Sequence, residues 1–177
     1  MLLLLVAVAA IACGVDVLTK VAALSQLGDG STVPVLGDLL VFRLVFNPGA
    51  AFSFAGGMTW VFSLIAATVV VVIIWYARRL RSWGWALALG LLLGGTSGNL
   101  LDRLLPKEGA PQGRPWGQGV VVDFIQVKYF AIFNMADVFI SAAVVVFVLL
   151  ILRGVNIDGS RTRAGTPSDT DGSSESE

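Results

Sequence analysis

Two aspartates stand where a carboxylate is costly. Asp137 lies in Phe133-Asn134-Met135-Ala136-Asp137, at the mouth of an apolar run that continues to Leu152. Asp123 lies fourteen residues earlier, in the β-branched stretch Val120-Val121-Val122-Asp123-Phe124-Ile125. An ionisable group at membrane depth is read first as functional. Two neighbouring carboxylates cannot both ionise readily, so they share a proton. Such a pair suits one reaction: one member takes a proton from water while the other polarises a peptide carbonyl. The chain offers few other acid/base groups. It has no histidine, which excludes Ser-His and Cys-His catalysis and removes the commonest zinc ligand. Only three glutamates exist, and two of them are in the C-terminal tail. No metal, nucleotide, other cofactor or covalent intermediate is expected.

Further polar residues interrupt the apolar sequence, and each has a plain structural reading. Asp16 and Lys20 are spaced i, i+4 and share a helix face, as an ordinary helix end with a snorkelling lysine would. Asn47-Pro48-Gly49-Ala50-Ala51-Phe52 reads first as a turn. Asn99, Asp102 and Arg103 close an apolar run, where charges reach water or Arg103 partners a carboxylate or a lipid head group. Asn134 stands three residues before Asp137, the spacing of an N-cap and an acidic N3 position, so capping alone accounts for both. Asp123 alone reads as a strand-end residue in a wet loop. Taken together these residues gather at one side of the bilayer, which scattered caps would not require.

The elements that must position them are membrane spans. The chain has 177 residues, 56% hydrophobic and 14% charged, with mean hydropathy +0.83. It is far more apolar than a soluble domain of its size. Formal net charge is zero, so nothing points to nucleic acid. Residues 58–77 form an uncharged run of twenty, about 30 Å as a helix and enough to cross a bilayer core. Residues 84–101 form an uncharged run of eighteen, with Gly90, Gly94 and Gly98 as a small-residue stripe for close helix packing. The first and last runs, 1–15 and 138–152, have fifteen residues each and are short for a crossing. Extending them predicts spans at about 1–24 and 135–152, with Asp16, Lys20 and Asp137 in the outermost turns.

Orientation follows the Lys/Arg bias. Arg78, Arg79 and Arg81 between spans two and three, and Arg153, Arg161 and Arg163 after span four, place both termini in the cytoplasm. Arg103, Lys107, Arg114 and Lys128 on the other side oppose this, and the tighter cluster is given precedence. Segments 25–57 and 102–134 are then extracytoplasmic. Within them, 32–54 reads as short strands with turns lying on the membrane, 120–127 as a strand, and 107–119 as a mobile Pro/Gly-rich loop. The expected fold is an integral membrane, mainly α protein: four transmembrane helices, a small extracytoplasmic β-rich segment and a mobile outer loop. Residues 1–153 make the membrane domain, and 154–177 a disordered cytoplasmic tail.

Five islands now stand in order: Asp16-x-x-Thr19-Lys20; Asn47-x-Gly49-Ala50-Ala51-Phe52; Gly98-Asn99-x-x-Asp102-Arg103; Val122-Asp123-Phe124; and Phe133-Asn134-x-Ala136-Asp137. Together they resemble the lipoprotein signal peptidases (signal peptidase II), bacterial aspartic peptidases of the cytoplasmic membrane. The resemblance covers residues 1 to about 153. It implies removal of the signal peptide from diacylglyceryl-modified prolipoproteins, cut just before the lipidated cysteine. By the same resemblance Asp123 and Asp137 match the catalytic pair. Asn47, Gly49, Asn99, Arg103, Asn134 and Ala136 match residues that surround the pair or contact substrate. Asp16, Lys20 and Asp102 match supporting positions. The implied partners are lipid-modified prolipoproteins and membrane lipid, with a monomeric enzyme in the inner membrane and its site near the outer leaflet. The strand segment 32–54 and the loop 107–119 are expected to close over the substrate.

Three other readings remain open. A four-span transporter or assembly factor would use Asp16, Asp137 and Arg103 as an ion path and would leave Asp123 dispensable. A Ser–Lys peptidase is suggested by Lys20, Lys107 and Lys128 and would require Lys20 as the essential base beside a serine. Ala10-Ile11-Ala12-Cys13-Gly14 looks like a lipobox, so the chain could itself be a lipoprotein precursor. No Lys or Arg precedes that run, however, and cleavage there would shorten the first span; Cys13 is therefore taken as a small core residue.

Overall fold

The structure is a computed structural model describing residues 1–49, 59–105, 107, 109–111 and 113–161. Four α-helices are long and apolar enough to cross a membrane: α1 Leu2–Leu27, α2 Thr59–Tyr76, α3 Trp83–Leu104 and α4 Met135–Leu152. Their outward side chains, among them Leu3, Ile11, Leu18, Ile74, Trp75 and Leu152, are exposed. Such a surface suits hydrocarbon, which leaves a helix's internally bonded backbone undisturbed.

Helix α3 packs against α1, α2 and α4. Glycines make this possible. A Cβ at Gly90 or Gly94 would strike the backbone of α1 at Leu5 or Ala9, and one at Gly98 would strike the Asp16 side chain. The expected stripe therefore serves the α1 interface. Gly95, which lies off the stripe, does the same for α4, where a Cβ would run into the Ala136 carbonyl. Near the other end Leu5, Ile73, Ala77, Leu80 and Ala86 form a small buried cluster.

Helix α1 departs from the expected length. It continues to Leu27, so Asp16 and Lys20 lie well inside it rather than in its outermost turns. The extra turn has a packing reason: Ala23 and Leu27 bury against Phe124, with Phe42, Leu44, Ile125 and Met135 around them. A snorkelling lysine is likewise corrected, since Lys20 is 1% exposed and turned into the bundle. Cys13 is half-buried rather than a core residue.

The strands β1 Thr32–Leu36, β2 Leu40–Asn47, β3 Val121–Val127 and β4 Ile132–Phe133 form one antiparallel sheet in sequence order. Residues 50–58, which hold the end of the expected strand segment and Ala50, Ala51 and Phe52 of the second island, lie outside the described residues. Strand β2 pairs Phe42 with Ile125 but Val45 with Asp123, so it carries one extra residue, a β-bulge. The bulge decides a face. A one-residue shift moves every later side chain to the other side of a sheet. With it, Asn47 lies on the same face as Asp123; without it, Asn47 would point away.

Residues 154–161, counted with the tail in the sequence reading, carry structure. The Ile157 carbonyl accepts from the Arg81 and Ser82 N–H groups, the Trp85 indole donates to the Val155 carbonyl, and Val155 bridges to Arg161. Residues 162–177 lie outside the described residues.

Candidate active site

The two aspartates arrive from different elements. Asp123 sits in mid-β3 and is 2% exposed. Asp137 is the third residue of α4. Strand β4 runs back along β3 and ends at Phe133, which places Asn134 beside Asp123 and at the start of α4. Asn134 is a full capping-box residue: its Oδ1 accepts from the Asp137 N–H at 3.1 Å, and its own N–H donates to Asp137 Oδ2 at 3.2 Å. The capping expected from sequence is present. It does not exhaust the residue, because the Asn134 amide nitrogen also donates to Asp123 Oδ1 at 2.6 Å and to Asn99 Oδ1 at 3.1 Å.

Three asparagine amides orient the pair, and each is fixed by a group that can only donate. Asn47 Oδ1 accepts from the Gly49 N–H at 2.8 Å, so its nitrogen donates to Asp123 Oδ2 at 2.8 Å. Asn134 Oδ1 is occupied by a backbone N–H, so its nitrogen faces Asp123. Asn99 Oδ1 accepts from Lys20 Nζ at 2.9 Å, so its nitrogen donates to Asp137 Oδ1 at 2.9 Å. Lysine ammonium and backbone N–H have no acceptor capacity, which rules out the flipped amides. Each oxygen of Asp123 thus receives an amide donor, and Asp137 receives one from a side chain and one from the backbone.

Asp123 is nonetheless harder to ionise than an ordinary aspartate. Burial first, and then the Asp137 charge, push its carboxyl up to about 6, against the lowering effects of Asn47, Asn134 and Lys20.

Beneath the pair lies a buried ion cluster. Lys20 Nζ is 2.7 Å from Asp16 Oδ2 and 2.8 Å from Asp102 Oδ2. Asp16 Oδ1 accepts the Ala136 N–H at 2.8 Å, so α1 supplies a second cap to the start of α4. Asp102 Oδ2 accepts the Val122 N–H at 3.1 Å, which ties α3 to β3 next to Asp123. Its Oδ1 pairs with Lys107 Nζ at 3.1 Å. Arg103 donates to the Asn99 carbonyl at 3.2 Å and lies 5.8 Å over the Phe62 ring. Its buried Nε has no hydrogen-bond partner among the described residues. Gly49, with φ +101, has the Phe62 ring where a Cβ would stand, so a larger residue does not fit. All eleven site residues expected from sequence therefore fall in one region around the pair.

Beside this region a cleft of about 340 Å³ is bordered by Asp102, Arg103, Lys107, Arg114, Trp116 and Val120, among others. A family profile described as "Signal peptidase (SPase) II" matches residues 8–153.

The chain belongs to the signal peptidase II family.

A protein of Leifsonia xyli named "Lipoprotein signal peptidase" is 49% identical over 149 residues, covering 84% of this chain and 66% of its own length. One of the same name from Rhodococcus jostii is 44% identical, covering 90% of this chain and 77% of its own length. One from Mycobacterium avium, also 44% identical, covers 91% and 86%. A solved structure described as a bacterial membrane enzyme, determined by the in meso method at 2.3 Å resolution, shares the fold: TM-score 0.70, 23% identity, 92% of this chain and 93% of that one.

In this signal peptidase II chain, sequence reasoning missed two participants. Lys107 was placed in a loop, and no spacing linked it to Asp102. Gly95 stands outside the i, i+4 stripe, although its neighbour Gly94 lies within it.

Proposed function

We propose that this protein removes the signal peptide from diacylglyceryl-modified prolipoproteins, cutting just before the lipidated cysteine, with Asp123 and Asp137 as its catalytic pair. The observation that carries the reading is the pair itself: two carboxylates, each aimed by amide donors, joined through Asn134 and Asn99. Family membership supports the peptidase class.

Asp123, pushed up to about 6, is the member that holds the shared proton. Asp137 then takes a proton from water as the water oxygen attacks the scissile carbonyl. Asp123 hydrogen-bonds the carbonyl oxygen as charge develops there. The tetrahedral intermediate collapses, the C–N bond breaks, and the proton held by Asp137 passes to the leaving nitrogen. One shared proton remains on the pair, as at the start. Arg103 Nε is a donor available to a substrate carbonyl. The sheet and the 107–119 loop would flank a substrate entering the neighbouring cleft. By the positive-inside bias both termini are cytoplasmic, and the site lies near the outer leaflet, where a lipid-anchored cysteine sits.

The Ser–Lys reading finds no support, because Lys20 Nζ faces two carboxylates and an amide oxygen rather than a serine. The test is cleavage of a diacylglyceryl-modified prolipoprotein by purified protein, beside Asp123→Asn and Asp137→Asn. Activity in the parent and neither variant is expected. Cleavage surviving both changes would discard the aspartic mechanism, and an inactive but folded parent would favour a four-span non-enzyme.

A further inference from the structure

We propose that Lys20 is a positioning residue for the carboxylate pair, acting through Asn99; the proposal rests on the aspartic reading above. Lys20 has three protons and three partners: Asp16 Oδ2 at 2.7 Å, Asp102 Oδ2 at 2.8 Å and Asn99 Oδ1 at 2.9 Å. The first two would suffice for a staple between α1 and α3. The third does something else. It fixes the Asn99 carbonyl toward α1 and so aims the Asn99 amide at Asp137 Oδ1. A cation on the oxygen of an amide polarises it and strengthens donation from its nitrogen. Asn134 donates to the same Asn99 oxygen. Loss of Lys20 would therefore leave the Asn99 oxygen with one donor in place of two and remove the charge behind the amide.

Among the described residues the charges around this relay are few. Lys20 faces Asp16 from its own helix and Asp102 from α3, with Lys107 on the far side of Asp102. Arg103 of α3 acts on Asp102, Asp123 and Asp137. Helix α2 carries no charged residue, and Arg43 of β2 is exposed. Lys20 also pulls the Asp123 carboxyl downward, against burial and Asp137. Its removal should move the pair as a unit, in addition to any loss of packing.

The experiment measures kcat and KM for a diacylglyceryl-modified prolipoprotein across roughly pH 4.5–8.5. It uses the parent, Lys20→Met and Asp123→Asn as full chains in detergent. In Lys20→Met, kcat should fall at least about tenfold with KM within about twofold. The alkaline limb of kcat/KM should move to higher pH by about one unit, because a nearby cation no longer favours ionisation. A lower melting temperature with an unmoved limb, or a loss confined to KM, would make Lys20 a plain staple and overturn the proposal. Lys20→Met leaves two buried carboxylates without their cation, and a failure to fold calls for a second variant. Lys20→Met/Asp102→Asn then carries the test, since it removes one of the two stranded carboxylates and its amide oxygen can still accept from the Val122 N–H. Failure of both to fold would make the role structural and also overturn the proposal. An inactive parent, or an active Asp123→Asn, would instead sink the aspartic reading and this proposal with it.

Discussion

Asn134 performs two jobs that one pair of substitutions can separate. Its Oδ1 caps α4 through the Asp137 N–H, and its nitrogen donates to Asp123 and Asn99. Asn134→Ala removes both. Asn134→Ser keeps a capping oxygen but has no second polar atom to reach Asp123. An N-cap contributes about 1 kcal/mol, and serine is nearly as good as asparagine. For a chain of this size that is about 2–4 °C in melting temperature. Asn134→Ala should therefore melt a few degrees below the parent, and Asn134→Ser close to it.

Activity should divide the other way. A hydrogen bond contributes about 0.5–1.5 kcal/mol, or roughly 2- to 10-fold in rate if the loss is felt in the transition state. Both variants lack the 2.6 Å bond to Asp123, so both should lose cleavage rate in that range. Asn134 is among the groups that lower the Asp123 carboxyl, so its alkaline limb should also move to higher pH in both. The assay is cleavage kinetics beside thermal unfolding of the same preparations. An Asn134→Ser variant as fast as the parent would refute the reasoning, because capping alone would then account for the residue.

Three more outcomes follow. Asp123 must be protonated to assist the carbonyl, so kcat/KM should fall as pH rises through about 6, and the kcat limb should lie higher because bound substrate excludes water. The same raised carboxyl makes the folded state bind a proton the unfolded chain has lost. Parent stability should thus fall between about pH 4 and 7, a component absent from Asp123→Asn in pH-dependent melting. Gly98→Ala should lower both melting temperature and cleavage, because its Cβ displaces Asp16 from Lys20 and the Ala136 N–H; Gly14→Ala, with open space around it, should leave cleavage intact. Equal behaviour of the two glycine variants would count against the Asp16 anchor.

The two middle helices were legible because each is a local property, an uncharged apolar run of span length ended by charge; the outer two had to be extended past Asp16 and back before Asp137. The Gly90, Gly94, Gly98 stripe was legible for the same reason, since i, i+4 spacing is enough to place it on one face. The site residues were legible by type and order, through the five islands. What escaped was set by contacts distant in sequence. The last turn of α1 is held by Phe124, about a hundred residues away, and no pattern within 1–27 announces it. Lys107 meets Asp102 only because the chain turns back after α3.

The β2 bulge is the sharpest case. The run from Leu40 to Asn47 has no glycine or proline to mark it. Yet the extra residue decides whether Asn47 meets Asp123. Asn47 also needs Gly49 two residues on, whose N–H occupies the amide oxygen and turns the nitrogen toward the carboxylate. The sequence reading took Asn47-Pro48-Gly49 first as a turn, and a turn it is; the turn hydrogen bond is what aims the donor. The same economy holds at Asn134, where the capping bond fixes the amide that reaches Asp123, and at Asn99, where the lysine bond fixes the amide that reaches Asp137. In all three the structural reading and the functional one are two ends of a single side chain. An aspartate at any of them would lack the donating end and would put a third carboxylate beside the pair, which is the physical reason these positions call for asparagine.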